Sequence, residues 1–174
     1  MERTGWQRNW VRIVTTLLTA AVMVMIFCFS TENADESNER SGFFSGVLVR
    51  LIHPDFEQMD PAQQQTAFDD AQVIVRKCAH FTEYAMLGFL IRLCLESWFG
   101  HRARKSRSLF LAGLAGGAAY ACTDEAHQLA VAGRYGEWTD VLVDSGGVLA
   151  GAAAASLLIR LTERRRAEKH NAEE

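Results

Sequence analysis

The sequence predicts an all-α fold: a polytopic membrane protein, built as a four-helix transmembrane bundle with an extracytoplasmic amphipathic helical loop. Four segments are apolar, and each is close to the length of about 20 residues that a helix needs to cross a bilayer. Both prolines lie between the first two segments, so that none of the four is interrupted. The predicted spans are about 11–31, 73–99, 109–131 and 138–159, the loop is 32–72, and the 174 residues form a single membrane domain, 1–174.

Composition excludes several classes of protein. The net charge of −3 gives no basic surface for nucleic acid, so no nucleic-acid partner is expected. All four cysteines fall in apolar segments and none in the polar loop. This placement favours isolated thiols within helices over a disulfide framework.

The first span follows three arginines, Arg3, Arg8 and Arg12, and runs without a charge through Thr31. A cleaved signal peptide also has a basic start and an apolar middle. The run is long for a signal peptide, and Phe27 to Ser30 is a poor small-residue cleavage site. We therefore interpret it as a retained span.

The loop begins with acidic residues and then carries a helical stripe of apolar ones: Phe43, Phe44, Val47, Leu48, Leu51 and Ile52, ending at Pro54. Such a helix can lie in the membrane interface or pack over the mouth of the bundle. A packing helix of a soluble domain would show the same stripe. Asp60 and Pro61 then predict a helix start, with Asp as N-cap and Pro at N1, and this helix continues into the second span.

The second span carries five charged residues and a histidine: Arg76, Lys77, His80, Glu83, Arg92 and Glu96. A lipid-facing helix cannot hold so many, so this span is expected to be buried among the others. Arg92 and Glu96 are spaced to form an i, i+4 pair. In the third and fourth spans, Gly113 with Gly117 and Gly147 with Gly151 give the small-residue spacing that lets helices approach closely, and these faces permit an oligomer without requiring one.

The distribution of cations predicts the orientation. The amino terminus, the 101–107 connection and the tail after Arg160 are basic, whereas the 32–72 loop is acidic. The positive-inside rule therefore predicts a multi-pass protein of the cell membrane with both termini in the cytoplasm. An even number of spans satisfies all of these assignments at once.

Acidic residues of three spans are predicted to lie at one depth. Glu83, Asp124 and Asp144 are each 16 or 17 residues from the basic end of their span, which is about 25 Å along a helix. One turn further out lie His80, His127 and Asp140. The sequence therefore predicts a polar pit close to the outer surface of the membrane.

Three interpretations of the pit remain open. Carboxylates and histidines can act as general acid and base. His80 with Glu83 and Asp124 with His127 can also hold a divalent metal, although the pattern is not specific for one. The same charges can instead pair across helices as structural contacts. Arg134, in a turn at the mouth, can hold an anionic headgroup or be a solvated loop cation.

We assign candidate roles on this basis. The candidate catalytic residues are Glu83, Asp124, His80, His127 and Asp140. The candidate substrate-binding residues are Arg76, Lys77, Glu125, Gln128, Arg134 and Asp144. Tyr84, Tyr135 and Trp138 are interpreted as interface anchors.

The motifs together resemble a known family. Arg76-Lys77-x-x-His80-Phe81-x-Glu83-Tyr84, Thr123-Asp124-Glu125-x-His127-Gln128, Arg134 and Asp140-x-x-x-Asp144-x-x-Gly147 are similar to those of the VanZ-like bacterial membrane proteins. Members typically carry Asn at the position of Asp144. The resemblance implies a small helical membrane protein linked to low-level resistance to the glycopeptide teicoplanin, acting on the cell envelope.

We expect a membrane enzyme that acts on a lipid-linked or envelope substrate, such as a lipid-linked cell-wall precursor. A non-catalytic binder of membrane lipid, glycopeptide or a partner membrane protein is the alternative. A transporter fits less well, because the cytoplasmic halves of the spans hold few polar groups.

Overall fold

The computed structural model describes residues 5–100, 106–131 and 138–173. It contains five α-helices and one short 3₁₀ helix within those residues, and no strand, which confirms the all-α prediction. The helices are α1 (Gly5–Ser30), α2 (Ala34–Ile52), α3 (Pro61–Phe99), α4 (Ser106–Gln128) and α5 (Trp138–Glu173), with the 3₁₀ helix at Phe56–Gln58.

Local signals set the starts of α2 and α3. Asn33 caps α2 in a capping box, in which its side chain accepts from the Glu36 amide and the Glu36 side chain accepts from the Asn33 amide. Asp60 caps α3 by accepting from the amides of Ala62 and Gln63, and Pro61 takes the first helical position. The predicted continuity is confirmed, since α3 is one helix of 39 residues.

α3 is the central helix and packs against α1, α2, α4 and α5. It runs parallel to α5, because Lys77 pairs with Asp140 near one end and Arg92 Nε donates to Ser156 Oγ 15 residues further along α3. It runs antiparallel to α1, since the Arg12 Nε donates to the Ser97 carbonyl at 3.0 Å. α4 is antiparallel to α3 too, so α1, α3, α4 and α5 alternate in direction.

Glycines bring α3 and α5 into close backbone contact. A Cβ on Gly88 would overlap the backbone of Val148, and one on Gly151 would overlap the backbone of Ala85. Gly147 lies in the same way against the carbonyl of Phe81. The small-residue spacing predicted for the fourth span is therefore used within this chain, where it fixes the register of α5 on α3.

Three helices are long and apolar enough to cross a membrane: those over Trp6–Ser30, Pro61–Phe99 and Trp138–Ala172. α4 does not meet the same requirement in the described residues, because its glycines and the adjacent Asp124 and Glu125 make it less apolar. The outward faces of the long helices carry exposed leucines such as Leu17, Leu142 and Leu157. Faces of this kind are stable in contact with lipid.

Several predicted boundaries differ from the observed helices. α5 continues past the predicted end at 159 to Glu173, so the basic tail after Arg160 is helical and exposed. The 32–72 loop consists of α2, the 3₁₀ helix and the first turns of α3. The four cysteines are free thiols within helices, as predicted.

Candidate functional site

His80, Asp124 and Asp144 come from three different helices and meet in the bundle. One ligand-type atom from each lies within 4.8 Å of the other two. The His80 Nδ1 is 3.6 Å from the Asp144 Oδ1. We call these three residues the trio; Asp124 and Asp144 are buried, and the His80 side chain is 26% exposed.

The packing of glycines explains why these side chains meet. Gly147 and Gly151 seat α5 directly on the α3 backbone, and Asp144 is one turn before Gly147 on the same face. Val148 of α5 also packs against Gly117 of α4, so that α4 lies close to the contact between α3 and α5. Asp144 and Asp124 therefore approach His80 from two directions.

The two carboxylates of the trio are deeply buried. The side chain of Asp144 is fully inaccessible, and neither of its oxygens has a hydrogen-bond partner. Asp124 is 4% exposed; its Oδ2 accepts from Gln128 Nε2 at 3.2 Å, and its Oδ1 has no partner. Unpartnered buried carboxylates are costly in a membrane protein, so the trio is a candidate functional site.

A cavity of about 220 Å³ opens beside the trio, between α1, α2, α3 and α4. One side of the cavity is formed by the carboxylates of Glu83 and Asp124 and the imidazole of His80. Its other polar residues are Ser30, Ser37, Arg40, Ser41 and Arg76, and its apolar wall is formed by Ile26, Phe29, Phe44, Val75 and Ala79.

Glu83 lies at the edge of the trio and not in its centre. The sequence predicts Glu83, Asp124 and Asp144 at one depth, with His80 one turn further out, and in the structure it is His80 that meets the two aspartates. Glu83 is half-buried in the cavity wall, where it lies within electrostatic range of His80 and Arg40. The predicted meeting of polar groups from α3, α4 and α5 thus occurs, with the imidazole at its centre.

Comparison with known proteins now identifies the group to which this chain belongs. A family model described as VanZ/LLP1 matches residues 15–160. The chain is a member of the VanZ/LLP1 family. This confirms the resemblance found in the motifs, and no curated protein and no solved structure matches the chain. The match includes all three residues of the trio and every residue that lines the cavity of this VanZ/LLP1 protein.

Lys77 and Asp140 form an ion pair with each other one turn from the trio. We predicted a substrate-binding role for the first and a catalytic one for the second. Their side chains are about one third exposed, so the pair links α3 and α5 at the edge of the site. This contact supports the interpretation of Lys77 and Asp140 as an interhelical bridge.

The remaining residues of the α4 motif have different neighbours. The ring of His127 packs on Phe27 of α1, with 4.9 Å between the ring centroids. Gln128 donates to Asp124, and Glu125 is buried at 6% exposure. His127 is therefore oriented towards α1, whereas Gln128 supports the trio.

Tyr84 is a core residue of this VanZ/LLP1 protein, and its interpretation as an interface anchor is wrong. Its side chain is inaccessible and packs near Tyr120, with 6.3 Å between the ring centroids. The phenol oxygen faces Asp124 without a hydrogen bond of good geometry. Trp138 is exposed, as an anchor would be. Tyr135 lies outside the described residues, as does Arg134.

Sequence reasoning missed the contribution of α2 to the site. The buried face of α2 is a row of serines, Ser37, Ser41 and Ser45, while the apolar stripe faces outward, with Phe43 75% exposed. Arg40 extends from the same helix into the cavity wall, paired with Glu32 and stacked over Phe29. The serine spacing of four residues was the available signal, since small polar residues at i, i+4 let a helix pack closely.

Proposed function

We propose that this protein is a membrane enzyme that acts by proton transfer on a lipid with an anionic headgroup. The observation that carries the proposal is the composition of the cavity: guanidinium groups and an apolar wall face a cluster of acid and imidazole groups. Recognition of the anion, accommodation of the lipid chain and the chemistry each have their own residues.

Recognition of the headgroup rests on Arg76. This half-buried guanidinium forms no ion pair with any residue in the described parts of the chain, although it lines a cavity that also contains Ser37. Arginine binds phosphate and carboxylate groups through paired N–H donors, and such bonds are strong where water is scarce. Arg40, which is paired with Glu32, adds a second guanidinium group on the facing helix.

Accommodation of the lipid chain rests on the apolar wall. Phe44 lines the cavity and is also part of the outward-facing stripe of α2. A chain attached to a headgroup in the cavity therefore passes along an apolar surface to the surrounding lipid without crossing a polar one.

The chemistry is assigned to Glu83 and Asp124, which line the cavity together with His80. Groups of like charge in a site of low dielectric constant do not ionise independently, so that one can hold a proton while another accepts one. We assign Glu83 and Asp124 the exchange of protons with the headgroup. His80 and Asp144 set the charge around them.

The proposed topology has four spans, with α4 crossing beside the three long apolar helices. It is supported by the alternating direction of α1, α3, α4 and α5 and by the basic residues at one end of the bundle. With both termini in the cytoplasm, the cavity and α2 lie on the outer side. That side exposes lipid-linked wall precursors, which agrees with a role in the cell envelope and in tolerance of teicoplanin.

Two assays test recognition and chemistry separately. Wild type and Arg76→Gln are purified from membranes, and co-purifying lipids are identified by mass spectrometry, with Arg160→Gln as the control for an exposed cation on α5. We expect an anionic lipid to be retained by the wild type and the control and lost by Arg76→Gln. Equal retention by all three would contradict the proposed recognition.

For the chemistry, cells expressing wild type or Glu83→Gln are compared for growth in teicoplanin and for their membrane lipids. We expect a change in lipid composition that depends on Glu83, together with a loss of tolerance in the variant. If Glu83→Gln and Asp124→Asn accumulate in the membrane as the wild type does and behave identically in both assays, acid–base catalysis is wrong. The protein is then a binder, and its dependence on Phe43 and Phe44 should exceed that on Glu83.

A further inference from the structure

We propose that His80, Asp124 and Asp144 form a binding site for one divalent transition-metal cation of the Zn²⁺ or Mn²⁺ type. The site is defined by the coordinates of the trio alone. It goes beyond the proposed function, because the metal can be measured without knowledge of the substrate or of any reaction. With an ion bound, Asp124 acts as a ligand, and Glu83 is the carboxylate that exchanges protons with the headgroup.

The separation of the ligand atoms fits a shared ion better than a hydrogen bond. The His80 Nδ1 and the Asp144 Oδ1 are 3.6 Å apart, which is too long for a hydrogen bond between these groups. Two ligands at about 2.1 Å from a tetrahedral zinc ion are separated by about 3.4 Å. The third ligand, Asp124, keeps all the pairs within 4.8 Å, so the side chains need only a small closure to meet one ion.

Burial provides an independent argument. The Asp144 carboxylate is completely inaccessible, and both of its oxygens lack hydrogen-bond partners. No lysine or arginine of the described segments forms an ion pair with Asp144 or with Asp124. Desolvation of two such carboxylates is expensive unless a cation or hydrogen-bond donors compensate it. His80 alone provides at most a single charge, whereas a divalent ion balances both.

The donor set indicates the class of metal. Two carboxylate oxygens and one imidazole nitrogen suit Zn²⁺ and Mn²⁺, whereas Ca²⁺ and Mg²⁺ prefer oxygen ligands alone. Thiolates, which soft ions require, are absent from the trio. Three protein ligands are also the number typical of zinc sites that keep a position open. Since His80 and Asp124 line the cavity as well, an ion held here would lie next to whatever occupies it.

Metal binding to purified protein tests the site directly. The wild type in detergent is stripped with a chelator and titrated with Mn²⁺, and free Mn²⁺ is measured by electron paramagnetic resonance; bound Zn²⁺ is measured by elemental analysis after dialysis. We expect one ion per chain. Asp144→Asn, Asp124→Asn and His80→Gln should each weaken binding at least about 100-fold, because loss of a ligand exceeds the 10–100-fold effect of an outer-shell change.

Asp140→Asn is the matched control, since it makes the same chemical change one turn earlier on α5, at a residue paired with Lys77. It should keep the affinity of the wild type. The metal should also raise the Tm of the wild type and of this control, but not that of Asp144→Asn. The melting curves without metal report whether each variant is folded, and with three ligand variants the test does not depend on any single one.

The inference is overturned if the wild type shows no saturable binding, or if folded ligand variants bind as the wild type does. An equal loss in Asp140→Asn would overturn the assignment of the site to the trio. These outcomes are separate from the fate of the proposed function. The metal titration of the wild type gives the same result whether or not Arg76→Gln loses its lipid, so the two proposals can fail independently.

Discussion

Replacement of Gly151 by alanine is expected to destabilise the bundle, because it puts a methyl group where two helix backbones touch. A Cβ at this position would lie 2.7 Å from the Ala85 carbonyl carbon and 2.8 Å from the Phe89 amide nitrogen. Ordinary contacts begin near 3.4 Å, and the Cβ would lie closer still to the Ala85 carbonyl oxygen, so α5 must move away from α3 by more than 3.4 − 2.7 = 0.7 Å. Backbone atoms cannot rotate out of the way as a flexible side chain can.

The change in stability caused by Gly151→Ala is compared with that at a control glycine, at which an added methyl group meets no other atom. A Cβ on Gly116 of α4 meets nothing within 4 Å, so Gly116→Ala should gain up to about 1 kcal/mol from helix propensity. Gly151→Ala has the same gain, but the overpacked contact costs about 1–3 kcal/mol. We expect a difference of about 2 kcal/mol between the two alanine variants, or about 4–8 °C in Tm for a chain of this length.

Thermal unfolding in detergent, followed by circular dichroism, measures both variants beside the wild type. The same displacement moves Asp144 relative to His80, so metal affinity should fall in Gly151→Ala and stay unchanged in Gly116→Ala. Equal melting temperatures for the two alanine variants would refute the inference that this contact fixes the register of α5.

Three further predictions concern other parts of the molecule. Glu96→Ala should lower the free energy of unfolding, measured by denaturant titration, by about 3 kcal/mol, because Arg92 is 1% exposed and its Nη1 donates to the Glu96 Oε2 at 2.7 Å. A decrease under about 1 kcal/mol, as for a surface pair, would argue against a buried pair. A nitroxide label is placed at position 43 or position 70 of a cysteine-free protein in liposomes. The label that replaces Phe43 should be more accessible to oxygen than to a polar nickel reagent, whereas the label that replaces the exposed Asp70 should be more accessible to the nickel reagent. The same pattern at both positions would show that α2 does not lie in lipid. Tyr84→Phe should keep or raise stability by up to about 1 kcal/mol, because it removes a buried hydroxyl without a partner; a clear loss of stability would mean that the hydroxyl bonds its neighbour.

Local signals in the sequence were sufficient for the helices themselves. Asp60 and Pro61 predicted the start of α3, and the spacing of Arg92 and Glu96 predicted their pair. Hydropathy predicted the long apolar segments, three of which meet the requirement for a span. Such signals act within a few residues of chain, through capping, propensity and i, i+4 spacing, so one segment can be interpreted alone.

The depth argument predicted which helices contribute to the site but not which side chain lies at its centre. It placed Glu83 level with Asp124 and Asp144, whereas His80 is the residue that meets them. Counting residues along a helix gives height to within about one turn of 5.4 Å. It does not give the direction in which the side chain points relative to the neighbouring helices.

The sequence by itself determined that the chain is helical, that its long segments are apolar, and that α3, α4 and α5 each carry acidic residues at a similar depth. Only the tertiary structure decided that Arg40, Ser37 and Ser41 of α2 line the cavity, and that Tyr84 lies in the core. The physical reason is that rotation and register between helices depend on contacts distant in sequence. The contact of Gly151 with Ala85 is one of them, and no local propensity records it.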